Sequence, residues 1–502
     1  MAKGSMPVLV GVGQALSTWD GSDGADGAPS PLSLATTASK AALSDAGIGA
    51  DGVDAITFVR IFEDSVPGAP HPHGHNKNLP GTLARDLGAT PSTLIYSDVG
   101  GQSPQALANE MAKRIHEGEF DVALVAGSEA NLASKSARRN NIDIDWADDD
   151  EAPYEDRGLG GKMITRTEIK HGIAAPAYFY ALFENAIAAR EGRTRSEQRE
   201  AMARLFQPFT EVAAENPFSQ FPTERSVEFL ATPSPENYEF ADPFLKWHIA
   251  QDAVNQGGAI LLMSEDKADE LGIPADKRVY LHGAGEAKDD FISERPRLDG
   301  SWAMEQAIKR ALSQAGKTPG GMAAFDLYSC FPCAVFSSIQ ELGIDPEADA
   351  RPITLTGGLP FFGGAGNNYS MHGIASMTEW LRENQGAFGL VLANGGWMTK
   401  EAVGVWSTSR PDTFTPVEEI AAPTEKVEID PAPSAGTVET FTVMHGKKGP
   451  THGVVFGRTE SGARFLAKAS PAALEVLREN ESPVGRKVRV EQDGEVNTFH
   501  FV

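Results

Sequence analysis

Tyr96-Ser97-Asp98-Val99-Gly100-Gly101-Gln102-Ser103-Pro104-Gln105-Ala106-Leu107 decides the fold. The preceding run from Thr93 into Ser97 reads as a buried strand, and Gly100-Gly101 as a tight turn. Ser103 suits an N-cap and Pro104 the first helical position. Ala106, Leu107, Met111 and Ile115 then form an apolar helical stripe that Gly118 stops, and Val122 to Ala126 returns as a strand. A strand, helix and strand in this order predict a parallel crossover unit.

Reading outward, Met6 to Gln14 and Ala55 to Ile61 are strands flanking a helix over Ser33 to Ala46. The alternation lapses at residue 131 and resumes at Gly257 to Met263. A second series follows. Strands are expected at Val279 to Gly283, Phe325 to Tyr328 and Leu390 to Ala393, with helices over Trp302 to Ala315, Ala334 to Leu342 and Tyr369 to Arg382. Two similar series predict a duplicated α/β unit around a pseudo-twofold axis. Residues 1–130 and 251–270 make the first half, 131–250 an inserted helical domain, and 271–410 the second half. Residues 411–435, rich in Pro, Thr, Ala and Glu, read as a linker. Residues 436–502 carry five short strand patterns and a helix over Pro471 to Leu477, which predicts a small Greek-key barrel of the OB type.

A chain of 502 residues needs more than one core. A formal net charge of -25 argues against a nucleic acid or an anionic membrane surface as partner. No apolar run has the length of a membrane span, and no signal-peptide pattern is visible. Cys330 and Cys333 are the only thiols, which fits a reducing compartment and gives no disulfide framework. The expected location is the cytoplasm.

Residues 6 to 410 resemble the thiolase superfamily, most closely its sterol-carrier-type branch. Gln105-Ala106 after a glycine turn resembles the nucleophile loop. Glu191 to Gln198 and Glu215-Asn216-Pro217-Phe218 resemble the inserted domain, and Gln256-Gly257-Gly258-Ala259 the return to sheet. Gly357 to Gly366 and Ala393-Asn394-Gly395-Gly396 resemble the two C-terminal loops. With its extra C-terminal segment the whole chain is most similar to type-1 thiolase-like proteins. The resemblance implies a five-layer α-β-α-β-α fold with a helical loop-domain insertion and an OB-like barrel. It also implies acyl-CoA or coenzyme A as ligand, with no tightly bound cofactor. The chain would be an acetyltransferase by descent. It implies a monomer or a homodimer paired through a sheet edge, which the extra domain could cover. A partner enzyme is a further expectation, as in a subunit of a fatty-acid or sterol degradation complex.

The departures from the family are chemical. The nucleophile's place falls on Gly100, the Gly-His-Pro motif on Gly363-Gly364-Ala365, and the second cysteine's place on Ala393. The motif that holds the thioester oxygen becomes Tyr328-Ser329-Cys330-Phe331. Glycine and alanine cannot attack a thioester. Either the chain only binds thioesters, or other groups carry the chemistry. In the second case Cys330 would be the thiol, its pKa lowered by the following helix, with His372 as base and Tyr328 as hydrogen-bond donor. Gly100, Gly101, Gly363, Gly364, Asn367, Asn394 and Gly395 would line the substrate. Cys330 and Cys333 also make a C-x-x-C pair. Lys162, Lys170, Arg190 and Arg193 lie where the resemblance puts the nucleotide end of coenzyme A. His71-Pro72-His73-Gly74-His75 would place three imidazoles on one side of a strand, but Pro72 and Gly74 favour an irregular loop, and no metal is expected.

Overall fold

The computed structural model describes residues 4–502. The first half runs β1 (Pro7–Leu16), α1 (Pro31–Ala46), β2 (Ala55–Phe58), α2 (Leu79–Leu87), β3 (Thr93–Tyr96), α3 (Ser103–His116) and β4 (Val122–Ala130). The insertion holds α4 (Asn131–Asn140), β5 (Glu155–Asp156), α5 (Arg166–Lys170), α6 (Pro176–Arg190), α7 (Arg195–Glu215), α8 (Val227–Ala231), β6 (Glu239–Ala241) and β7 (Phe244–Leu245). After β8 (Asn255–Ser264) and α9 (Glu265–Glu270) comes the second half. It comprises β9 (Tyr280–Lys288), α10 (Trp302–Gln314), β10 (Ala324–Leu327), α11 (Pro332–Leu342), α12 (Tyr369–Glu383), β11 (Phe388–Gly395) and β12 (Lys400–Ser407). The chain ends with β13 (Glu419–Ile420), β14 (Ala435–Gly446), β15 (Gly449–Arg458), β16 (Arg464–Ala469), α13 (Pro471–Leu477), β17 (Lys487–Asp493) and β18 (Val496–Phe501).

Two mixed sheets, ordered β1-β8-β4-β2-β3-β5 and β10-β11-β12-β9-β13, sandwich the paired helices α3 and α12. Leu107, Met111 and Ile115 of α3 share that middle core with Met371 and Ile374 of α12. Helices α1 and α2 cover the outer face of the first sheet, and α10 and α11 the outer face of the second, which makes five layers.

The duplication is visible at atomic level. A Cβ added to Gly13 in β1 would lie 2.1 Å from the Ala38 carbonyl oxygen of α1. A Cβ added to Gly285 in β9 would lie 2.0 Å from the Ala307 carbonyl oxygen of α10. Each half uses a Gly-x-Gly strand (Gly11 and Gly13, Gly283 and Gly285) so that an alanine-rich helix can rest its backbone on the sheet.

Three features at the domain edges add to the sequence expectation. The insertion is not purely helical. Its β6 and β7 extend the C-terminal sheet, with Ala241 paired to Met444 and the Asp242 N–H donating to the Val443 carbonyl at 2.8 Å. The segment 411–435 is packed rather than free. Phe414 and Val417 are buried, Glu419 and Ile420 pair with β9, and the Val427 N–H donates to the Glu294 carbonyl. The open edge of β3 is covered by Glu155 and Asp156 of the insertion, not by the extra domain.

In the C-terminal domain β14 pairs with both β15 and β17, closing the ring β14-β15-β16-β18-β17. The barrel docks through Arg464, a fully buried guanidinium. It forms a two-pronged pair with Glu439 (2.7 Å on each prong) and donates to the carbonyls of Ile292, Ser293 and Arg295.

Candidate functional site

Glycine is needed at the turn between β3 and α3 for two reasons. Gly100 has φ +144, and a Cβ there would meet Gln102 Oε1 at 1.9 Å. A Cβ on Gly101 would lie 2.1 Å from the Tyr328 hydroxyl and 2.5 Å from the Asn394 carbonyl oxygen. The turn is anchored by Lys400 of β12, whose Nζ donates to Asp98 Oδ2 (2.7 Å) and to the Val99 carbonyl (2.9 Å). Ser103 is the first helical residue rather than the cap. Gln102 stands at the cap position without a side-chain bond, and the Ser103 hydroxyl donates to the Asp98 carbonyl.

Opposite this turn lie the ends of β10 and β11. Asn394 Nδ2 donates to the Tyr180 hydroxyl at 3.0 Å and lies 3.7 Å from Cys330 Sγ. Tyr180 comes from α6 of the insertion. Its ring stacks on Phe331 at 4.3 Å, and its hydroxyl donates to the Gly396 carbonyl at 3.0 Å. A Cβ on Gly395 would lie 3.2 Å from Gly100 Cα. The structure therefore brings Gly100, Gly101, Tyr328, Cys330, Asn394 and Gly395 together. It adds Tyr180, Gln102 and Glu401, which the sequence reading did not single out. Glu401 faces Asn394 across the β11–β12 ladder, is 2% exposed, and has no hydrogen-bond partner on either carboxylate oxygen.

The remaining expected residues fall elsewhere. Gly363 packs on Gln256 and Val254, and Gly364 on Ala250 and Gln251. The Gly364 N–H already donates to the Gln251 carbonyl at 2.8 Å, so it is not free for a substrate oxygen. Asn367 clasps a turn of the first half, donating to the Arg60 carbonyl (2.7 Å) and to Ser65 Oγ (2.9 Å). His372 faces β1, where its Nδ1–H donates to Gln14 Oε1 at 2.8 Å while its ring tilts against Phe362. Of the cations expected near a nucleotide, Lys170 lies against Glu495, Arg190 pairs with Asp299, and Arg193 donates to Gln198.

The electrostatics reverse the sequence expectation for Cys330. Burial pushes its thiol up to about 12, against a smaller opposing pull from Tyr180. The helix that would lower it begins only at Pro332 with Phe331 as cap, so desolvation outweighs the helix end. Cys333 is pushed upward by burial too, and its Sγ donates to the Tyr180 carbonyl. Burial also raises the Glu401 carboxyl well above the carboxylate range, against the pull of Arg295. His372 is pushed down to about 3 by burial alone. At neutral pH the centre thus holds a thiol and neutral phenols, beside a carboxyl whose ionisation burial opposes, with no thiolate–base pair.

Two measurements follow from these values. Iodoacetamide should label Cys330 very slowly at pH 8, where the thiolate fraction is about 10⁻⁴. The rate, read by mass spectrometry, should go on rising through pH 9 and 10; a plateau near pH 9 would mean an ordinary exposed thiol. His372 stays neutral in the folded chain but takes a proton in the unfolded chain below about pH 6.5. Its contribution to stability is present above that pH and declines as pH falls toward 3. In urea titrations His372→Gln should therefore cost less, relative to wild type, at pH 5 than at pH 7.5.

A cavity of about 350 Å³ opens beside this centre, lined in part by Asp98, Gln102, Glu286, Lys400, Glu401 and Val417. Glu286 is pushed up to about 7 by burial and accepts a bond from Asn109 Nδ2 at 2.9 Å. A larger groove of about 700 Å³ lies between α7, α11 and residues 345–354 and touches none of the loop residues named above.

Comparison with known proteins fits this geometry. Residues 416–495 match the family described as thiolase-like protein type 1 additional C-terminal domain. The chain is similar to a probable acetyl-CoA acetyltransferase of Mycolicibacterium smegmatis, 27% identical over 88 residues, a match spanning 18% of this chain and 21% of that relative. It shares its fold with an acetyl-CoA acetyltransferase from Syntrophomonas wolfei (TM-score 0.58, 17% identity, 81% of this chain and 100% of that one). The crystal structure of a monomeric SCP2-thiolase-like protein type 1 from Mycobacterium smegmatis superposes with a TM-score of 0.83, is 37% identical, and covers 99% of each chain. With that identity over its whole length, the chain belongs to the SCP2-thiolase-like proteins of type 1.

Proposed function

We propose that this protein binds acyl-CoA thioesters on a thiolase frame without forming an acyl-enzyme through the thiolase residues. The observation that carries the reading is the state of the centre. The family's cysteine and histidine places hold Gly100, Gly364 and Ala393, and the nearby thiols, Cys330 and Cys333, are buried and protonated. Gln102, Asn394 and Glu401 stand between the loops as polar groups that could orient a thioester without attacking it. The cavity of about 350 Å³ suits an acyl or pantetheine end. We read the closed five-strand ring as an OB-type barrel, and the capped β3 edge as the basis of a monomer.

The test uses the full chain with coenzyme A, acetyl-CoA and longer acyl-CoA esters. The expected result is thermal stabilisation that grows with ligand concentration, no turnover, and no acyl adduct by intact mass. An adduct that disappears in Cys330→Ala would replace the binding role with a catalytic one. No stabilisation by any of the esters would end the acyl-CoA reading.

A further inference from the structure

The loop after β2 gathers a group of side chains that the acyl-CoA reading does not use. Asp64 lies in the turn Phe62–Ser65, and His71 and His75 come back over it. His75 Nε2 is 3.1 Å from Asp64 Oδ1, and His71 Nε2 is 3.7 Å from the same oxygen. The two rings stack at 3.9 Å, 21° from parallel. One donor atom from each of the three residues lies within 4.8 Å of the other two. Tetrahedral ligands held at zinc bond lengths stand about 3.3–3.5 Å from one another; the 3.1 and 3.7 Å separations from Asp64 Oδ1 bracket that value, and the third separation lies within 4.8 Å.

The outer contacts are those of a built site. Asp64 Oδ2 accepts from the Tyr96 hydroxyl at 2.6 Å, which leaves Oδ1 turned to the two imidazoles. His71 Nδ1 lies 3.6 Å from Glu63 Oε2, so a carboxylate stands behind the imidazole. The carrier turn is fixed: the Phe62 N–H donates to Glu129 Oε1 at 2.8 Å, and Asn367 holds Ser65. A cavity of about 120 Å³ borders His71 and His75, with room for a further ligand. His73 turns away to the Ser134 carbonyl and Trp146, so the loop splits the three imidazoles where a strand would have aligned them.

We propose that Asp64 Oδ1, His71 Nε2 and His75 Nε2 bind one divalent transition-metal ion of the zinc class, with a fourth position open toward that cavity. Two imidazoles and one carboxylate select Zn²⁺, Co²⁺ or Ni²⁺ over Mg²⁺ and Ca²⁺. The test is calorimetric titration of the chelator-treated full chain with Zn²⁺ and with Mg²⁺, and a Co²⁺ titration followed by visible absorption. The expected result is one Zn²⁺ per chain, no Mg²⁺ binding, and a tetrahedral Co²⁺ spectrum. His75→Ala, at a half-exposed residue, should abolish the binding, and Asp64→Asn should do the same. Glu63→Gln should weaken it about 10–100-fold, while His500→Ala leaves it unchanged. No Zn²⁺ uptake up to millimolar concentration would overturn the site. So would equal affinity and stoichiometry in a folded His75→Ala protein.

Discussion

Arg464→Met is expected to destabilise the protein by about 3–5 kcal/mol and to separate the unfolding of the C-terminal barrel from that of the core. The methionine fills much of the volume but donates nothing. It leaves three core carbonyls, of Ile292, Ser293 and Arg295, without their shared donor inside the interface. It also removes one of the two arginines on Glu439. Arg458 remains, with contacts of 3.0 and 2.8 Å, so Glu439 keeps part of its compensation. A urea titration should show an early transition by barrel-specific hydrogen exchange, ahead of the loss of core helicity. Arg464→Met with Glu439→Gln should recover part of the loss, because the stranded charge goes with it. A single unshifted transition in the Arg464 variant would show that the barrel is held by its apolar contacts alone.

The second large effect is expected from a single methyl group. Gly285→Ala would set a Cβ 2.0 Å from the Ala307 carbonyl oxygen and 2.8 Å from its carbonyl carbon. Both are helix backbone, so no side chain can swing aside and α10 itself must lift from the sheet. Overpacking of a core usually costs about 1–3 kcal/mol, and a backbone-to-backbone collision belongs at the upper end. Gly13→Ala meets α1 in the same manner, with contacts of 2.1 Å to the Ala38 carbonyl oxygen and 2.5 Å to the Ala42 nitrogen. The two variants should lose similar stability in denaturant titrations. Gly52→Ala, with nothing within 4 Å, should lose little. Unequal losses at Gly13 and Gly285 would show that the two halves are no longer packed alike.

The frame was legible because its signals are local. The strand–turn–helix at Thr93 to Leu107, the glycine loops and the apolar periodicity all depend on neighbours in sequence, and the observed elements follow them. The chemistry was less legible because it depends on depth. His372 looked available as a base at a helix start, but that helix lies between two sheets, and its first turn is buried. Cys330 looked activated because a helix follows, yet the whole turn is desolvated. Tyr180 gave no sign of its role, since α6 is apolar on nearly every side. Glu401 did leave one. Lys400-Glu401 opens a strand in which every residue is buried, and an acid within such a run marks either a partner or a site. Arg464 in the buried strand β16 is the same kind of signal.

The strand that the insertion lends to the barrel also sets a timetable for biogenesis. Residue 241 leaves the ribosome roughly 200 residues before its partner Met444, a delay of about 10–40 s at ordinary translation rates. Throughout that interval β6 has no neighbour on one side, and Asn185 lacks the Phe441 carbonyl it will later cap. The insertion therefore completes its pairing only as the last sixty to seventy residues emerge.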